Sequence, residues 1–241
     1  MKKLCVIVAC FVTSFSIQAQ KLNSLTPKEQ KQGWKLLFDG KTLNGWRNFN
    51  KKDLGTAWKV SDDAIMLDNS VMDGWNAKGG GEITTDEVYE NFVFVCDWKI
   101  SEGGNSGIIF NSQEDDAQKH PYSWNTGPEF QVLDNEGHAD GKIDKHRAGN
   151  LYDLIKYAPE NVKPVGEWNH AMISQKNGLV KLYLNGRMVI EYNIHSDEYK
   201  ALVANSKFKG MENWGTFTKG HIVFQDHGNK VWFRNIKIKQ L

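Results

Sequence analysis

The sequence predicts an all-β fold: a single jelly-roll sandwich with one or two short helices. Three observations carry this. Roughly a dozen short segments alternate apolar and polar residues with the period of a half-buried strand. Turn signals such as Asp39-Gly40, Asn44-Gly45 and Asn185-Gly186 separate them. No internal repeat, low-complexity linker or charge block breaks the pattern, so the 241 residues read as one large β-domain rather than two.

The elements follow in order. Thr26-Pro27-Lys28-Glu29 is a helix start, with Thr as N-cap, Pro at the first position and Glu closing a capping box. Gly33 ends that helix, and a strand follows over 34–38. Segments 58–60 and 64–67 flank Ser61-Asp62-Asp63 as a hairpin. Residues 68–81 are Gly-rich around Trp75 and read as a loop without any dinucleotide or phosphate fingerprint. Strands are expected over 82–84, 91–101 and 106–110, then a polar loop over 111–127 with His120, Tyr122 and Trp124. In segment 128–134 (PEFQVLD), Glu129, Gln131 and Leu133 share one face and Phe130 and Val132 the other. Residues 135–166 form a long aperiodic excursion, and excursions of that length inside a compact domain tend to be functional. Strands over 168–176, 179–184 and 187–192 and a short helix over 197–204 lead to a closing hairpin over 219–239. In it Ile222 and Phe224 share a face, as do Trp232, Arg234, Ile236 and Ile238, around the polar turn Gln225-Asp226-His227-Gly228.

The first nineteen residues read as a signal peptide, with Lys2-Lys3, an apolar stretch from Leu4 to Ile17 and a small residue at Ala19. Residues 20–241 are then the single domain, and the protein is expected to be periplasmic or secreted. A lipid anchor at Cys10 is the less favoured alternative, because cleavage there leaves a very short apolar region. No later stretch is long and apolar enough to span a bilayer. Loss of Lys2 and Lys3 takes Lys+Arg from 30 to 28 against 29 Asp+Glu, a mature net charge of −1. That balance argues against a nucleic-acid partner, which needs a basic face. Cys5 and Cys10 leave with the signal, so Cys96 has no intramolecular partner and reads as a buried, inert thiol.

Several stretches together resemble the 3-keto-disaccharide hydrolase family. They are GWKLLFDGKTLNGW at 33–46, GNSGI at 104–108, PEFQVLD at 128–134 and GEWN at 166–169. The tail adds SKF at 206–208, GHIVFQDHG at 220–228 and FRNI at 233–236. The likeness spans residues 33–239, with Phe224 standing where the pattern usually carries Leu. It implies a concanavalin A-like jelly roll and an exported, carbohydrate-active enzyme that cleaves glycosides whose sugar is oxidised at C3. The substrate would be an oligosaccharide or glycoside, with no nucleotide or organic cofactor.

The ketone acidifies the C2 proton, so a base can remove it, the C1 oxygen leaves by elimination, and water then adds. This needs a general base and something electropositive to hold the enediolate. His138 and His227 are base candidates by residue type. Glu129, Gln131 and Asp134 converge from one strand and its end. The expected catalytic residues are therefore His138, Glu129 and His227. Substrate contacts are expected from Gln131, Asp134, Gln225, Lys207, Asn105, Trp124 and Arg234. One divalent metal ion could sit at Glu129 and His138 to polarise the ketone, although no fixed-spacing metal motif is present. Lys207 and Arg234 could supply the charge without it.

Plainer roles compete. His227 could be an ordinary turn residue, Asp226 a turn cap and Arg234 a structural ion-pair partner. His146, Tyr152 and Asp153 have weaker claims to function. A non-catalytic, lectin-like carbohydrate-binding domain has the same fold, and a structural envelope protein is the third reading. Convergence of Glu129, Gln131, His138 and His227 in one pocket would favour the enzyme. A row of exposed Trp with those residues scattered would favour the binder.

Overall fold

The computed structural model describes residues 21–241. The signal peptide expected at 1–19, with Cys10, lies outside the described residues. No described helix is long and apolar enough to cross a membrane.

Helix α1 (Pro27–Lys31) carries the expected capping box: the Thr26 hydroxyl accepts the Glu29 N–H at 3.1 Å, and the Glu29 carboxylate accepts the Thr26 N–H at 2.7 Å. The strands are β1 (Trp34–Leu36), β2 (Trp46–Asn48), β3 (Trp58–Ser61), β4 (Ala64–Leu67), β5 (Met72–Asp73), β6 (Asn76–Ala77), β7 (Ile83–Thr85), β8 (Phe92–Ile100), β9 (Asn105–Ser112) and β10 (Glu129–Leu133). After the long excursion come β11 (Asn169–Lys176), β12 (Leu179–Leu184), β13 (Arg187–Asn193), helix α2 (Asp197–Ala204), β14 (His221–Phe224) and β15 (Val231–Gln240).

Two antiparallel sheets face each other in a jelly-roll sandwich. The larger runs β13-β12-β11-β8-β15-β4-β3, with β1 also paired to β15, and the smaller runs β10-β9-β14-β7-β2. The core between them is aromatic. Strand β8 alternates strictly and buries Phe92, Phe94, Cys96, Trp98 and Ile100. The smaller sheet answers with Ile108, Phe110, Phe130, Val132, Ile222 and Phe224. Phe224 stacks on Phe233 at 3.8 Å and on Trp46 at 4.8 Å, so its departure from the family pattern is a matter of packing. Burial pushes the Cys96 thiol well up, as for an inert core residue.

The closing hairpin does not form. Strand β14 pairs with β9 and β7 in the smaller sheet, while β15 pairs with β8, β4 and β1 in the larger one. Residues 225–230 cross from one layer to the other, fastened by the Asp226 carboxylate. Alternation reports that a segment is a strand; it is silent on which layer the strand joins. The face assignment within β15 also changes. The register against β8 slips between Arg234 and Lys237, with Asn235 at a φ of 53°. That bulge resets the alternation, so Phe233, Ile236 and Ile238 all point inward and Trp232 does not. The expected loop over 68–81 contains a small ribbon of its own, β5 paired with β6.

Candidate functional site

The site lies on the outer face of the smaller sheet. Period two puts Glu129 and Gln131 there while Phe130 and Val132 enter the core. Register then fixes their neighbours. Gln131 stands opposite Gly107, the Gln225 N–H donates to the Gly107 carbonyl at 3.0 Å, and the pairing of β14 with β7 carries the row on to Glu82. Glu129 leans over Gly107, where a Cβ would come within 2.0 Å of its Oε1. Only glycine leaves room for that carboxyl, which explains the Gly in GNSGI.

The long excursion closes this face. Its stretch 149–152 runs alongside β10: Gln131 N–H donates to the Asn150 carbonyl at 3.1 Å, Gly149 N–H to Gln131 at 2.9 Å and Tyr152 N–H to Glu129 at 3.0 Å. Behind it the His146 ring lies tilted against Tyr152 at 4.2 Å and meets Asp153 Oδ1 through Nε2 at 3.1 Å. The other Asp153 oxygen accepts the Lys207 backbone N–H at 2.7 Å. This places the Lys207 ammonium 4.1 Å from the Tyr152 ring centre.

The result is a pocket of about 240 Å³ lined by Asn105, Trp124, Glu129, Gln131, Tyr152, Lys207, Phe208, Gln225 and His227. Its polar groups are under-used. Among the described residues the Glu129 carboxyl has no hydrogen-bond partner and the buried Gln131 Oε1 has none either. Gln131 Nε2 reaches Asn105 Oδ1 only at 3.5 Å. Buried polar atoms left open in this way suit a ligand that would complete them.

Electrostatics agree with that use. Burial pushes the Glu129 carboxyl above the usual range; Lys207 opposes the shift, and Glu82 and Asp140 add to it. Burial pulls the Lys207 ammonium down, against the carboxylates Glu129, Asp153 and Asp140. Glu82 is raised to about 7 by burial, although the Ser123 N–H donates to it at 2.6 Å. The enclosing walls first, and the imidazole of His138 next, hold His227 below its ordinary value.

Seven of the ten expected site residues therefore meet in one pocket. His138 stands just outside its lining, with its ring 5.8 Å from that of His227 and Nδ1 accepting the Asp140 N–H at 3.1 Å. Two residues stand elsewhere. Both carboxylate oxygens of Asp134 are taken by backbone N–H groups of Gly103, Glu136 and Gly137, so Asp134 fastens a turn. Arg234 belongs to the larger sheet, with its guanidinium 3.9 Å over Trp168 and Nε 3.7 Å from Asp97. Asp226 is a cap, accepting N–H groups from Gly81 at 2.7 Å and Gly228 at 2.8 Å. Among the described residues no three His, Cys, Asp or Glu side chains gather into a cation cage. Glu82 and Tyr152 are the pocket's neighbours that sequence reasoning underrated. The signal for Glu82 was an acidic residue at the head of the apolar Ile83 strand.

Residues 33–239 match the model of the 3-keto-alpha-glucoside-1,2-lyase-like domain. A 3-keto-disaccharide hydrolase of Bacteroides thetaiotaomicron is 35% identical over 250 residues, covering 95% of this chain and 85% of that protein. A crystal structure of a candidate glycosyl hydrolase from Parabacteroides distasonis is 35% identical and superposes with a TM-score of 0.81, covering 92% of this chain and 100% of that one. A Bacillus subtilis carbohydrate-binding module shares the fold at 17% identity, a TM-score of 0.50 and coverage of 81% and 96%. The chain belongs to the family of 3-keto-disaccharide hydrolases, built on the 3-keto-alpha-glucoside-1,2-lyase-like domain.

Proposed function

We propose that this protein cleaves 3-keto-glycosides by elimination followed by hydration, with the oxidised sugar in the 240 Å³ pocket. The observation that carries the reading is the meeting of Glu129, Gln131, Lys207 and His227 around that one space. Glu129 takes the C2 proton. Its raised pKa makes it a stronger base than an exposed carboxylate, and its oxygens accept no hydrogen bond among the described residues. Lys207 and the Gln131 amide hold the oxygen on which the enediolate charge develops. The C1 oxygen departs where the pocket opens towards Glu82 and His227, and takes its proton from the Glu82 carboxyl, whose pKa burial raises to about 7. Water then adds at C1 as His227, held as the free imidazole, accepts its proton and passes it to the Glu82 carboxylate, and Glu129 returns one to C2.

The carbohydrate-active family and a buried, unpartnered carboxyl favour this reading over the lectin-like one, which has no use for such a group. Export to the periplasm or beyond, on the signal-peptide pattern of the sequence at 1–19, is part of the same proposal.

Purified protein is expected to release the aglycone from a 3-keto-glucoside, and Glu129→Gln is expected to lower kcat by about 100-fold or more. His138→Ala, which removes the support of His227, should lower it less. A chelator arm tests the alternative source of charge, a divalent cation between Glu129 and His138. If Glu129→Gln turns over at the wild-type rate with its fold intact, the assignment of the base is wrong.

A further inference from the structure

A second cavity, of about 670 Å³, adjoins the first and shares Trp124, Gln225 and His227 with it. Its outer wall is Trp75, at the tip of the β5–β6 ribbon. Trp75 is 85% exposed, so the core gives no reason for a side chain that costly to leave in water. The ribbon is nevertheless held in place. Asp226 accepts the Ala77 and Gly81 N–H groups, and Asn69 Nδ2 donates to the Gly228 carbonyl at 3.1 Å. Elsewhere on the cavity wall Tyr122 stacks on Trp124 at 5.6 Å with planes only 7° apart, and Tyr122 is itself half exposed. Asp73, Asn76 and Glu82 line the same cavity.

Flat aromatic faces with carboxylates and an amide in the same cavity suit a pyranose ring. Its C–H face stacks on an indole while its hydroxyls donate to the carboxylates. The border residues Gln225 and His227 make the two cavities one continuous cleft. The smaller cavity is assigned above to the oxidised sugar.

We propose that Trp75 is a specificity-determining residue: it is the platform on which the leaving sugar stacks in the larger cavity, which is then the leaving-group subsite. This rests on the reading of the smaller pocket given above and adds the residue that separates a disaccharide from a glycoside with a small aglycone.

Two measurements test it. In turnover, Trp75→Ala is expected to raise KM at least tenfold for a 3-keto disaccharide and to leave the methyl 3-keto-glucoside unchanged. Trp75→Phe should recover part of the loss. Equal effects on both substrates, or no effect on either, overturn the subsite. In calorimetry, an unoxidised glucosyl-glucose disaccharide, which cannot react, is titrated into the wild type and Trp75→Ala. Binding at least tenfold weaker in the variant supports the subsite even if no 3-keto-glycoside is ever turned over, in which case only the reaction falls. Equal binding to both proteins, or no measurable binding to the wild type, overturns the subsite whatever the turnover.

Discussion

At the scale of single residues, the site depends on two carboxyls kept out of water. Glu82 is buried, and its pKa stands at about 7 against an ordinary 4.5. The unfolded chain therefore releases this proton before the folded one does. Between about pH 4.5 and 7 the folded state binds more protons, so its stability falls as pH rises across that window. A shift of this size corresponds to about 3 kcal/mol. Glu129 is raised too and acts in the same sense. Urea denaturation at pH 5 and pH 8 should show the wild type losing stability at the higher pH, and Glu82→Gln losing distinctly less. Equal losses in the two proteins would mean that Glu82 ionises normally. Such a carboxyl is kept at a cost to stability, which is the pattern expected where chemistry rather than packing has chosen the residue.

At the scale of elements, the crossing segment 225–230 does two jobs. Its Asp226 carboxylate gathers N–H groups from both the β5–β6 ribbon and its own turn, while Gln225 and His227 face the cleft. Asp226→Ala should therefore free the ribbon. Amide exchange at Gly81 and Gly228 is expected to accelerate by an amount equivalent to about 1–3 kcal/mol, with the sheets unaffected. Unchanged exchange at both amides would show that the ribbon is held by something else. This element also marks how far the sequence could be read. The faces of β10 were legible because Glu129 and Gln131 alternate with Phe130 and Val132, and the capping box at Thr26 was legible because it is local. The destination of β15 was not, because the alternation of Val231, Trp232 and Phe233 is the same in either sheet. Nor was the role of Asp134 legible: a carboxylate at a strand end looks alike whether it faces a ligand or, as here, three backbone N–H groups. The place of Arg234 in the larger sheet, away from the pocket, was hidden for the same reason, since its sheet decided its neighbours.

At the scale of the whole molecule, one core serves both sheets. Phe233 from the larger sheet lies face to face with Phe224 from the smaller, with planes 3° apart. Phe233→Ala should cost about 3–5 kcal/mol. The loss should appear as an earlier but still single unfolding transition, followed equally by tryptophan fluorescence and by backbone circular dichroism. Two separated transitions would mean that the layers unfold independently. The placement of β15 has a further consequence, for the order of assembly. This strand sits in the interior of the larger sheet, between β8 on one side and β4 and β1 on the other, and Asn235 Nδ2 bonds Asp97 across 138 positions of sequence. Until the last strand is made, β8 and β4 have open edges and the neighbourhood of His227 has no second layer to cross to. The chain cannot settle piecewise from its beginning; closure of such long-range pairings is slow. The cleft and the finished sandwich therefore arrive together.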